Sequence, residues 1–189
     1  MNAHLRLAAE HLERAADPSG DRETAEVLSA QFAHLAAEEG VLKELVPDKD
    51  DGLVLSPIAW AWFLPLLAES SLRPPDAVLD AIFERTASPF VRLRVVQAAT
   101  ATTPDDGWDR WLVGRARRSL GEGSAEHGAG SEAVVLGQIL LQAGNRPAQT
   151  AFRALFEAAP PEMRRQLAQL VPPEAPDRAA WVGEEGFRE

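Results

Sequence analysis

Four histidines, His4, His11, His34 and His127, are the side chains best suited to proton transfer or metal binding near neutral pH, and the chain has no cysteine to join them. None lies three residues after a glutamate, so the Glu-x-x-His pair of di-iron bundles is missing, as is His-Glu-x-x-His. His34 and Glu38 stand one helical turn apart, which gives half a metal site or, more simply, a surface ion pair. Adjacent carboxylates recur at Glu38-Glu39, Asp50-Asp51, Asp105-Asp106 and Glu184-Glu185. Neighbours on a helix point about 100° apart and cannot flank one bond, so these pairs suit solvated faces and caps better than paired acid–base catalysis.

Residues 121–130 (GEGSAEHGAG) carry Gly123 and Gly128 at the spacing of a phosphate-binding loop. Ala129-Gly130 follows where Lys and Ser/Thr belong, and no apolar strand precedes the loop. Glu126 stands where the third glycine of a dinucleotide fingerprint would be. The turn from Asp48 to Gly52 lacks the central glycine and distal glutamate of a calcium loop, and no serine lies in Gly-x-Ser-x-Gly. The expectation is therefore no catalytic residue, no metal and no cofactor.

Three groups remain as binding candidates. Trp60 and Trp62, with Phe63, form one aromatic cluster, and Trp108 and Trp111, with Leu112, form another; each reads as buried core or as the lining of a groove for a peptide or small molecule. Trp108, Trp111, Leu112 and Arg115 share one helical stripe, and Arg110, Gly114, Arg117 and Arg118 share the opposite face, either solvated or in contact with an anion or acidic protein. Glu38, Glu39, Asp48, Asp50 and Asp51 bracket the expected end of a helix and its following turn. From there their charges can project towards a basic partner.

The elements that would position these groups are helical. Leu5, Ala8, Ala9, Leu12, Ala15 and Ala16 recur at helical spacing up to the turn formers Asp17-Pro18-Ser19-Gly20, so a first helix is expected over about residues 3–16. A second stripe of Val27/Leu28, Gln31/Phe32, Leu35, Leu42 and Leu45 runs to Val46-Pro47. Ser56-Pro57, Ser88-Pro89 and Thr103-Pro104 each offer a cap followed by proline at the first helical position, and Asp105-Asp106 would complement the dipole of the third. Pro74-Pro75, Pro147 and Pro160-Pro161 mark further starts. The resulting spacing of about 15 residues means short helices in tight hairpins. Residues 52–55 alone have a strand-like alternation, and residues 121–130 have the composition of a mobile loop.

The 189 residues allow one domain with an ample core. The expected organisation is a single all-α domain over 1–172, with helical blocks 1–120 and 131–172 joined by loop 121–130, and a Pro-rich, acidic tail over 173–189. The apolar run over residues 53–68 is too short for a membrane span and is broken by Pro57 and Pro65, so it reads as core. No signal-peptide pattern opens the chain, and the absence of cysteine fits a cytoplasmic location. Arg far outnumbers Lys, which occurs only at Lys43 and Lys49, and with abundant Ala and Pro this fits a GC-rich, bacterial genome. Residues 1–90 hold 7 Lys+Arg against 16 Asp+Glu, and residues 91–189 hold 12 against 13. Such acidity repels phosphate and makes nucleic acid an unfavourable partner for the N-terminal half.

Residues 88–99 (SPFVRLRVVQAA) resemble the second helix of a HEAT repeat, with residues 74–87 as the first helix; the similarity covers about 28 residues, with Val95 where the family has a small residue. Similarity to HEAT and armadillo-like proteins implies a right-handed α–α superhelix of antiparallel helix pairs, the alternative being an irregular helical bundle. It also implies that Val91 packs inside while Arg92 ties helices together, with no catalytic role. The leading functional expectation is a non-enzymatic interaction module, an adaptor or immunity-type inhibitor that binds a basic protein. The alternatives are a cofactor-free enzyme or ligand binder built on the Trp clusters, and a nucleic-acid reader using Arg92, Arg94, Arg110, Arg117 and Arg118.

Overall fold

The computed structural model describes residues 55–69, 71–101, 107–121, 129–173, 175 and 178–182, together with Glu10, Glu13, Arg14, Glu23, Val27, Ala30, Gln31 and His34. Among these residues every regular element is a helix, so the chain is all-α. It divides into two compact units, residues 1–102 and 103–189. The glycine-rich stretch 121–130 falls within the second, and its residues 122–128 lie outside the described ones.

In the first unit, α1 (Pro57–Glu69), α2 (Asp76–Arg85) and α3 (Pro89–Ala101) form the described core, with α1 packed chiefly on α3 and α2 also on α3. Trp60, Phe63, Leu64 and Leu67 of α1 are fully buried, as are Leu79, Ile82 and Phe83 of α2 and Val95, Val96 and Ala99 of α3. The apolar run is therefore core, and among the described residues no helix is long and apolar enough to cross a membrane. Pro65 sits inside α1. It removes a backbone donor from the helix, a defect of about 3 kcal/mol in an exposed helix, tolerated here where burial holds the turn on either side.

The serine–proline signal at 56–57 works as the sequence implies. Ser56 Oγ accepts from the Ala59 amide at 3.3 Å, and its carbonyl accepts from the Trp60 amide at 3.0 Å. The Ser56 amide, left over at the cap, donates to the Glu13 carboxylate from the N-terminal segment. At the other end of α1, the Leu72 amide returns to the Leu67 carbonyl (2.8 Å) and the Ser71 amide to the Ala68 carbonyl (3.0 Å). This is the paired bonding of a Schellman cap, and it forces Ser71 into the left-handed region at φ 56°, where glycine is the usual occupant.

The helix pair expected over residues 74–100 is present as α2 and α3. Arg92 donates through Nε to the carbonyls of Thr86 (2.9 Å) and Phe83 (3.3 Å), and its guanidinium lies 4.7 Å from the centre of the Phe83 ring. One cation thus satisfies carbonyls at the negative end of α2 and ties it to α3.

The second unit is organised around α6 (Arg146–Ala158), which packs against α4 (Arg110–Arg118), α5 (Ala129–Ala143), α7 (Pro161–Leu170) and α8 (Arg178–Val182). Gly144, at φ 67°, ends α5 with its amide on the Leu140 carbonyl at 3.2 Å. Asn145 then caps α6 through a 3.1 Å bond from the Ala148 amide. Gly137 of α5 makes close packing possible: a Cβ there would lie 2.9 Å from Leu167 Cδ2, 3.1 Å from Leu170 Cδ1 and 3.3 Å from Phe152 Cε2.

Three expectations change. The helix expected to begin at Thr103-Pro104 begins at Arg110 instead, because the Asp109 side chain accepts from the Leu112 amide at 2.8 Å and caps that end. Residues 103–106 themselves lie outside the described ones. Val27 and Gln31, expected on the buried stripe of the second helix, are helical but exposed. Leu28, Phe32, Leu35, Leu42 and Leu45 are outside the described residues, as are 52–54 of the strand-like stretch. Within the expected tail, residues 178–182 form α8: Trp181 is buried and meets the Phe152 ring edge-on at 5.5 Å, and Arg178 donates to the Val171 carbonyl.

Candidate functional site

The aromatic pairs fall in different units. Trp60 is fully buried and its ring centre lies 5.4 Å from that of Phe63. Its indole N–H has no hydrogen-bond partner among the described residues. Trp62 is half-buried. In the second unit Trp111 is 4% exposed, whereas Trp108 is 50% exposed, one residue before the Asp109 cap rather than within the helix. Trp60 and Trp111 thus take the core role, and Trp108 is the one that meets solvent.

α4 separates its side chains as the helical stripe requires. Trp111, Leu112, Val113, Arg115 and Ala116 are buried, whereas Arg110, Arg117 and Arg118 are exposed. Arg110 and Arg117 pair with no described carboxylate, although the chain holds 29 Asp+Glu against 19 Lys+Arg. Between them Gly114 is partly exposed, and a Cβ added there would meet nothing within 4 Å.

Of the acidic candidates, Glu38, Glu39, Asp48, Asp50 and Asp51 lie outside the described residues. The acidic side chains that are described in the first unit do face solvent: Glu10, Glu23, Glu69, Asp76 and Glu84 are exposed. Asp76 pairs with Arg73 at 2.7 Å. His34 is helical and exposed, with its partner candidate Glu38 outside the description. Among the described residues no three His, Cys, Asp or Glu side chains gather closely enough to hold a metal ion.

Exposed apolar side chains add a further feature of the first unit. Ile58, at the start of α1, is 48% exposed and Phe90, at the start of α3, is 51% exposed. The Arg94 guanidinium lies 5.2 Å from the centre of the Phe90 ring and also donates to Gln97 Oε1 at 3.0 Å. Sequence reading passed over the Asp109 cap, whose signal was an aspartate directly before the periodic residues. It also passed over Ser71, for which no sequence signal exists, since serine carries no preference for φ above zero.

Comparison with protein-family models, with curated proteins and with solved structures returns no match. The class that the fold defines is thus an all-α protein of short helices.

Proposed function

We propose that this chain is a non-enzymatic interaction module whose acidic N-terminal half engages a basic protein, in the manner of an adaptor or an immunity-type inhibitor. One observation carries the reading: the charge is concentrated, with 7 Lys+Arg against 16 Asp+Glu in residues 1–90, and the described carboxylates Glu10, Glu23, Glu69, Asp76 and Glu84 of that half are exposed. Exposed like charges repel one another and stabilise the fold little. Their benefit appears on encounter, where a field of one sign steers a partner of the other.

The fold we propose for the module is a HEAT-like right-handed superhelix. The support is the α2–α3 pair, its proline-started second helix, and Arg92 bridging the two at 2.9 Å and 3.3 Å. A helical repeat of this kind offers an extended surface, which suits holding another macromolecule.

The test is affinity capture with the tagged full chain at low and high salt. A specifically retained partner should be basic, should elute as salt rises, and should be lost when Glu38 and Asp50 are both changed to lysine. An acidic partner, or one retained equally by the reversed chain, would overturn the reading.

A further inference from the structure

The exposed face of α4 is built against the interests of the helix that carries it. Arg110 occupies the first helical position, where the positive end of the dipole disfavours a cation. Gly114 stands at the centre of the nine-residue helix, costs it stability relative to alanine, and makes no close approach that would require a missing Cβ. Arg117 and Arg118 add positive charge to the same face, in the last turn. The dipole accounts for these two but not for Arg110. Local rules broken together on one exposed face, without compensation inside the fold, are the pattern of a surface shaped for something outside it.

We infer that the α4 face Arg110–Gly114–Arg117–Arg118 docks an acidic peptide segment of a partner protein, whose main chain passes over Gly114 while its carboxylates pair with the guanidiniums. Glycine lets a backbone approach closer than any other residue allows. Arginine's planar fork takes a carboxylate in two parallel hydrogen bonds, which fixes the segment as well as attracting it. The span from residue 110 to residue 118 is about 12 Å at 1.5 Å per residue, the length of a short extended segment. Half-exposed Trp108, just before the cap, offers apolar contact at one end. An acidic peptide is favoured over nucleic acid because the chain as a whole carries a net charge of −10, which repels a long polyanion more than a few carboxylates. This surface is of opposite sign to the acidic half described above, and either can fail without the other.

The test uses the full chain and a fluorescent, end-capped decapeptide of Asp and Glu, read by anisotropy at low salt beside a single-stranded oligonucleotide of equal charge. The parent should bind the peptide, and Arg110→Gln/Arg117→Gln should weaken it by about tenfold or more. Gly114→Ala should raise the melting temperature while weakening the peptide several-fold, a combination that a merely structural glycine would not give. A higher melting temperature with unchanged affinity, binding indifferent to Arg110 and Arg117, tighter binding of the oligonucleotide, or no binding of the peptide would each overturn the proposal.

Discussion

Two glycines at the centres of helices should respond to the same substitution with opposite signs. In a helix interior alanine is preferred over glycine by about 0.8–1.0 kcal/mol, because glycine gives up more backbone freedom on folding. At Gly114 the added methyl enters open space, so Gly114→Ala should be more stable by most of that amount. At Gly137 the same methyl lands 2.9 Å from Leu167 Cδ2 and 3.1 Å from Leu170 Cδ1, closer than carbons pack, and those side chains must move. Overpacking of this kind typically costs about 1–3 kcal/mol. After subtracting the propensity gain, Gly137→Ala should be neutral to about 2 kcal/mol less stable. For a unit the size of residues 103–189, each kcal/mol moves the melting temperature by about 4–8 °C. Thermal melts of the two variants and the parent, followed by circular dichroism, separate the cases. A lower melting temperature for Gly114→Ala, or a higher one for Gly137→Ala, would refute the assignment of an open face to the first and a packed face to the second.

Ser71→Gly should stabilise the first unit by about 0.5–1 kcal/mol, since it relieves the left-handed conformation at φ 56°; urea denaturation reads it, and Ser71→Val should move the midpoint the other way. Asp109→Ala removes the only side-chain cap of α4 shown by the structure, a 2.8 Å bond, and should cost about 1 kcal/mol in the same assay. Trp181→Ala should cost about 3 kcal/mol or more and increase proteolysis after residue 171, because the ring packs edge-on against buried Phe152. Intact stability would mean that α8 does not hold the end of the chain.

Punctuation made the helices legible in the sequence. Proline at the first helical position costs nothing and fixes φ, so Pro57, Pro89 and Pro161 announce α1, α3 and α7 to the residue. The same signal misled at Pro104, because a cap competes locally: Asp109 sits directly before the residues whose burial defines the helix, and its carboxylate takes the Leu112 amide. The split of α4 into Trp111, Leu112 and Arg115 inside and Arg110, Arg117 and Arg118 outside was also readable, since period alone sets it. Trp108 was not, because its place on the stripe presumed a helix that had not yet begun. Nor was the tail: Pro172-Pro173 reads as an exit from the fold, and only the distant Phe152 ring explains why Trp181 returns to it.

The most direct test of the proposed interaction is the association rate of the captured partner, measured by stopped flow across a range of salt concentrations. Steering by exposed charge acts over about one Debye length, roughly 10 Å at 0.1 M salt, so it acts on capture more than on final affinity. The account predicts a rate that falls steeply as salt rises for the parent chain. It predicts a slower, nearly flat dependence for Glu38→Lys/Asp50→Lys at unchanged helicity. A rate that ignores salt in the parent, or one as fast for the reversed chain, would contradict it.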